Sequence, residues 1–251
     1  MTTSILDDEG SGPAVLLLHG CPGTIEFLKP LVQALAANHR VLTPSLPGYG
    51  ATPSLPGPYD FEKVTTWLGE EVRRRGISEV AVVGHSLGAY RGIALAVSRA
   101  IKVTRLVLLS GFAQVPEEVG RGMKEFARLL RAGTDISPVF LSRMVAPGFS
   151  DRRPDAAAEI LSWLHAAPND VIADELDAVG DLPDLLAVLP SLDVPVLARV
   201  GALDVATPPA MSEAIVAVAR CGRLEVVPAC GHAILHEDTT ATVASVVDFT
   251  R

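Results

Sequence analysis

Residues 80–90 read Val-Ala-Val-Val-Gly-His-Ser-Leu-Gly-Ala-Tyr, so an apolar, β-branched run meets Gly84-His85-Ser86-Leu87-Gly88 and passes at once into a helix-forming segment. A serine flanked by glycines at such a junction is the pattern of a nucleophile elbow. In that sharp strand-to-helix turn the serine takes a strained backbone conformation, and the glycines let strand and helix pass closely. The turn lifts the Ser86 hydroxyl above the sheet, at a helix N-terminus whose N–H groups favour developing negative charge. Val80–Val83 reads as a buried parallel strand and Arg91–Arg99 as a mostly apolar helix. The segment fits neither a phosphate-binding P-loop nor Gly-x-Gly-x-x-Gly.

Further apolar runs at Ala14–Leu18, Arg40–Thr43, Arg105–Leu109, Val194–Val200 and Leu224–Val227 recur with helical segments between them. That alternation predicts an α/β fold, a mostly parallel sheet with helices on both faces. Ser4–Asp7 is expected to add a short antiparallel edge strand. Phe27–Ala37 and Phe61–Arg75 carry helical apolar spacing, and Arg73-Arg74-Arg75 before Gly76 suits a helix C-terminus, where cations offset the dipole. After Leu109 the rhythm breaks. Residues from Gly111 to about Pro190 hold no good strand but several amphipathic segments, among them Glu117–Ala132 and Pro154–His165, interrupted by Gly133, Pro138, Pro147-Gly148 and Pro168. A long excursion rich in Leu, Phe, Val and Met is expected to be structured. We therefore read residues 1–251 as a single domain with a helical cap inserted at about 112–190, over the carboxyl edge of the sheet. Thr239–Phe249 reads as the closing helix.

A chain of 251 residues, 49 % hydrophobic, can bury one sizeable core. Its net charge of −8 argues against nucleic-acid and anionic-membrane partners. The start, Met1 to Asp8, has neither a basic segment nor an apolar stretch of signal-peptide length, and no apolar run would span a bilayer, so a cytoplasmic protein is expected. Three cysteines, Cys21, Cys221 and Cys230, suggest neither a disulfide framework nor a zinc site, and the latter two read as buried or loop thiols. His232 and His236 have the spacing of a metal pair, but the glutamate of His-Glu-x-x-His is missing and no third ligand is evident. No metal or cofactor is expected.

A serine needs a base to attack at neutral pH, and the base needs an acid to fix its tautomer. Asp204 follows the strand Val194–Val200 directly, and His232 follows Leu224–Val227, so both are expected in loops at carboxyl ends of strands, where Ser86 also lies. Asp204 also suits a turn or helix cap, and His232 competes with His236 for the role of base. The order serine, aspartate, histidine is that of a nucleophile-elbow hydrolase. Ala14–Leu18 ends in His19-Gly20-Cys21-Pro22-Gly23, a turn whose N–H groups are expected to face the same crevice. We assign the backbone N–H groups of Cys21 and Leu87 to an oxyanion hole. His19 and His85 are expected to support the turn and the elbow. Phe126, Phe140, Met144, Trp163 and Phe149 are candidates for the substrate pocket or for cap core.

The His19-Gly20 turn, the segment Pro44 to Thr52, Gly84 to Gly88, the loop at Asp204, and Gly231-His232 together resemble the α/β-hydrolase superfamily, in its small capped branch of esterases, lactonases and carbon–carbon bond hydrolases. The resemblance covers nearly the whole chain. It implies a cofactor-independent serine hydrolase acting on a small or medium, fairly apolar ester or lactone. Carbon–carbon hydrolysis, perhydrolysis, or ligand binding without turnover on the same scaffold are the alternatives. Two departures stand out: an N-terminus short for the usual first two strands, which implies a trimmed sheet edge, and Ser45 where relatives often carry aspartate.

Overall fold

The computed structural model describes residues 6–251. Their seven strands form one sheet in the order β1-β3-β2-β4-β5-β6-β7. They are β1 (Leu6–Gly10), β2 (Ala14–Leu18), β3 (Arg40–Pro44), β4 (Glu79–His85), β5 (Lys102–Leu109), β6 (Pro195–Gly201) and β7 (Cys221–Val227). Of these, β1 alone runs antiparallel, against β3. The edge strand runs on past the expected end at Asp7 to Gly10, and residues 4 and 5 of the expected Ser4–Asp7 lie outside the described part. Every apolar run expected as a strand falls on one, except that Val194 precedes β6, which begins at Pro195.

Those runs are nearly continuous because the sheet is covered on both faces. Val15, Leu17, Ala81, Val83, Val107 and Leu109 pack toward α1 (Lys29–Leu35) and α11 (Thr239–Thr250). Their neighbours Leu16, Leu18, Val80, Val82, Leu106 and Leu108 point the other way, onto α2 (Phe61–Arg74), α3 (Leu87–Ser98) and α9 (Pro209–Val218). The α2 helix shows how sequence sets these boundaries. Asp60 caps it by accepting the N–H groups of Glu62 (2.8 Å) and Lys63 (3.1 Å), and Gly76, at φ +75°, stops it where the three arginines end. The expected helix Phe27–Ala37 is instead a 3-10 turn over Glu26–Leu28 leading into α1.

Between β5 and β6 lie α4 (Glu117–Arg131), α5 (Ser137–Met144), α6 (Phe149–Arg152), α7 (Pro154–Ser162) and α8 (Asn169–Val179), with 3-10 turns at Trp163–His165 and Leu189–Ser191. A short α10 (Ile234–Glu237) follows β7. Cys230 is buried, whereas Cys221 is an exposed residue at the start of β7 rather than a buried or loop thiol. Among the described residues no helix is long and apolar enough to cross a membrane.

The register aligns the strand ends. Leu18 sits opposite Gly84, Gly84 opposite Leu108, and Leu109 opposite Arg199. The chain leaves β2 for β3 on one side and returns to β4 on the other, so the strand order reverses between β2 and β4. A crevice opens at such a switch point, outside the carboxyl ends. The turn after β2 and the turn after β4, which carry Cys21 and Ser86, border it.

Candidate active site

Ser86 has φ 54° and ψ −121°, a conformation that costs a non-glycine residue on the order of 1–3 kcal/mol. Neighbours over-determine it: the Ser86 N–H donates to Leu109 O (2.9 Å), and Ser86 O accepts from the Ala89 N–H (2.9 Å). The flanking glycines are needed for space. A Cβ on Gly84 would lie 2.3 Å from Gly88 O, and one on Gly88 2.3 Å from Leu18 O. Leu87 is the first residue of α3, so its N–H belongs to the group a helix leaves without an intrahelical acceptor.

Asp204 lies in the loop after β6, and His232 in the loop after β7; both are buried. The loops are pinned together by Ala202 N–H to Val227 O (2.8 Å) and Leu203 N–H to Cys230 O (2.9 Å). Asp204 Oδ1 accepts the N–H groups of Ala206 and Thr207, each at 2.9 Å, and Oδ2 lies 2.9 Å from His232 Nδ1. This geometry assigns the Nδ1–H tautomer to His232, leaving Nε2 free to take a proton. Burial alone would push the Asp204 carboxyl up. The charge interaction with His232 and its hydrogen bonds from His232 and Thr207 outweigh burial and hold it below the usual aspartate value. His236, the competing base, stacks on Phe27 and lies 3.2 Å from Glu159, away from Asp204's carboxylate.

Three supporting groups were not singled out from sequence. The Thr207 hydroxyl donates to Ser110 O (2.8 Å) and lies 3.0 Å from Asp204 Oδ2 and 3.1 Å from His232 Nδ1. Its signal was there to read, because an aspartate followed three residues later by threonine favours local side-chain-to-backbone turns. Glu237 accepts the N–H groups of Gly231 (2.9 Å) and Ala146 (2.8 Å), tying the His232 loop to the segment after α5. Arg91, a single charge in an otherwise apolar helix, is fully buried and paired with Glu175 of α8. Of the two supporting histidines, His85 Nε2 donates to His232 O (3.0 Å), and burial together with His232 lowers its pKa to about 3. His19 Nδ1 donates to Gly20 O (2.8 Å), and burial lowers its pKa to about 4. Both rings are neutral at physiological pH.

Gly20, Cys21, Ser86, Leu87 and His232 all border one cleft. Phe126, Phe140, Met144 and Trp163 line it. Phe149 does not; it is packed in the core, on a short α6 that lies against α7. The segment between β5 and β6 adds aliphatic and aromatic groups to the lining, with Gln114 and Arg143 as its polar side chains. Burial raises the Cys21 thiol to about 11, so it borders the site as a neutral group. Among the described residues no three His, Cys, Asp or Glu side chains are grouped to hold a metal.

Comparisons with known proteins agree with this architecture. The model of the alpha/beta hydrolase family matches residues 15–246. A thermophilic esterase from Thermogutta terrifontis superposes with a TM-score of 0.90 at 25% identity, over 98% of this chain and 92% of that one. The enol-lactonase from Burkholderia xenovorans LB400 gives a TM-score of 0.88 at 25% identity, over 98% and 95%. In sequence, the protein of Escherichia coli O157:H7 named "Putative carbamate hydrolase RutD" is 30% identical over 135 residues, 51% of each chain. The chain spans about half the length of the curated relatives it matches. With the elbow, the strand order and the family match over nearly its full length in agreement, the chain belongs to the alpha/beta hydrolase family.

Proposed function

We propose that this hydrolase cleaves a small or medium, fairly apolar carboxylic ester or lactone through a Ser86–His232–Asp204 triad and an acyl-enzyme, with the helices between β5 and β6 acting as a cap over the site. The observation that carries the reading is the buried 2.9 Å contact between His232 Nδ1 and Asp204 Oδ2 beside a strained serine, both serine and histidine facing one apolar cleft. Ser86 Oγ attacks the carbonyl carbon while His232 Nε2 takes its proton, and Asp204 stabilises the imidazolium. The carbonyl oxygen, now negative, accepts the backbone N–H groups of Cys21 and Leu87. His232 then returns the proton to the departing alkoxide, and a water deprotonated by the same base hydrolyses the acyl-enzyme. The similar esterase, enol-lactonase and carbamate hydrolase share a carbonyl electrophile, which favours this class of reaction. The apolar lining favours an uncharged acyl group.

The test is turnover of p-nitrophenyl esters of rising chain length and of aliphatic and enol lactones, with fluorophosphonate labelling alongside. Wild type should turn over and be labelled at Ser86, and Ser86→Ala should lose both. Most of the activity surviving in Ser86→Ala would reject the assignment.

A further inference from the structure

Behind the oxyanion turn lies a buried polar cluster that the triad does not use. Arg91 of α3 and Glu175 of α8 are both 0% exposed and form an ion pair. The two carboxylate oxygens of Glu175 are divided between two phenols: Tyr49 donates to Oε2 (2.5 Å) and Tyr59 to Oε1 (3.0 Å). Arg91 Nη2 also donates to the Tyr59 oxygen (2.8 Å), and its guanidinium carbon lies 5.3 Å from the Phe61 ring centre. A charge pair so deeply buried is costly unless its remaining hydrogen bonds are made. Both Glu175 oxygens are partnered and tie four chain segments together, whereas Arg91 Nε and Nη1 have no hydrogen-bond partner among the described residues.

Tyr49 carries the cluster to the active site. Its single hydroxyl proton is held by Glu175, which fixes the ring. That ring meets His19 edge-on, with centroids 4.8 Å apart, and its oxygen lies 3.5 Å from Cys21 Sγ. On its other side the Cys21 sulfur lies 4.0 Å from Ile172 O, again on α8. The turn residues on either side of Gly20 are thus braced by one tyrosine whose position is set by a carboxylate from between β5 and β6. We infer that Tyr49 and Glu175 are positioning residues for the oxyanion hole: docking of α8 sets the direction of the Cys21 N–H, so the site is competent only with α8 in place. This deepens the hydrolase reading and rests on it.

The experiment compares wild type with Tyr49→Phe, which removes the bracing hydroxyl while leaving Arg91, Glu175 and Tyr59 in place. Tyr59→Phe is a second variant that removes the phenol donor from the other Glu175 oxygen while leaving its pairing with Arg91. Tyr90→Phe is the control, a buried phenol that donates to Pro183 O and does not touch the turn. Kinetics on p-nitrophenyl butyrate are paired with inhibition by an alkyl trifluoromethyl ketone. Ser86 Oγ adds to the ketone carbon, the proton passes to His232, and the oxygen becomes an oxyanion with no group to leave. Tyr49→Phe should lower kcat about tenfold and weaken the ketone by the same factor, with KM within twofold, because the brace acts on a donor used in the tetrahedral state. Tyr59→Phe should move both in the same direction by less, and Tyr90→Phe neither. Both variants keeping wild-type kcat and ketone affinity, even with a lowered Tm, would overturn the inference. So would a change confined to KM, with kcat and ketone affinity unaltered. Absence of turnover and of Ser86 labelling in wild type would instead overturn the hydrolase reading, and this inference with it.

Discussion

His232 Nδ1 and Asp204 Oδ2 lie 2.9 Å apart, while the other Asp204 oxygen is already occupied by the N–H groups of Ala206 and Thr207. The carboxylate cannot rotate without giving up those two bonds. An asparagine would keep its oxygen on them and turn its NH2 toward His232, forcing the proton to Nε2. Such an imidazole cannot accept the serine proton. Asp204→Asn should therefore fold with a near-native circular dichroism spectrum while losing on the order of 10⁴-fold in kcat.

The Thr207 hydroxyl lies near both Asp204 Oδ2 and His232 Nδ1 and donates to Ser110 O at 2.8 Å. Thr207→Val preserves the shape but leaves that buried carbonyl without this donor, a loss of about 1–3 kcal/mol. The urea midpoint should fall accordingly. Because the hydroxyl also lies 3.1 Å from His232 Nδ1, kcat should drop several-fold, well short of the Asp204→Asn loss. An unchanged midpoint would mean that Ser110 O finds another donor.

The two neutral, buried histidines give stability a defined pH dependence. His19 and His85 have their pKa values lowered to about 4 and about 3, in each case mainly by burial, against 6.5 for an exposed histidine. Below about pH 6.5 the unfolded chain takes up these protons and the folded chain does not, so stability, fully present above that pH, falls as pH falls. Each residue contributes a slope of up to about 1.4 kcal/mol per pH unit. The lowered Asp204 carboxyl acts in the same direction in a window below its ordinary value of 3.8. Urea midpoints should decline steadily from pH 7 to 4.5. His85→Gln, which keeps a donor for His232 O, should flatten part of that decline; equal midpoints at both ends would contradict the burial argument.

What the sequence disclosed and what it withheld separate along physical lines. The strands were visible because a sheet covered on both faces demands unbroken apolar runs such as Leu16 to Leu18, and the elbow because only glycine fits at Gly84 and Gly88. These are local constraints. Asp204 and His232 were legible from their place after strands, since register brings strand ends together. The Arg91–Glu175 pair joins residues far apart in the chain; spacing puts Glu175 on the apolar face of α8 with Ile172, Leu176 and Val179, unlike Asp170, Asp174 and Asp177, but nothing local names Arg91 as its partner. The choice between pocket and cap core for Phe149 stayed open in the sequence because apolar spacing reports burial without saying which side of a helix meets the cleft.

Two glycine-to-alanine changes should give opposite signs. At Gly88 the added methyl would lie 2.3 Å from Leu18 O and 2.6 Å from His19 O. Both are backbone atoms at or just after the end of β2, where no flexible side chain can yield, so either α3 or the turn after β2 must move. Gly88→Ala should cost about 3 kcal/mol or more and abolish turnover in whatever fraction folds. Gly122 lies on the exposed face of α4, and a methyl added there would meet nothing within 4 Å. Alanine at that position only reduces the freedom of the unfolded chain and favours the helix, so Gly122→Ala should raise stability by about 0.5–1 kcal/mol with unchanged kinetics. Thermal melts of the pair would separate tight backbone approach from ordinary helix propensity, and a tolerated Gly88→Ala would mean that α3 and β2 are less closely apposed than the elbow requires.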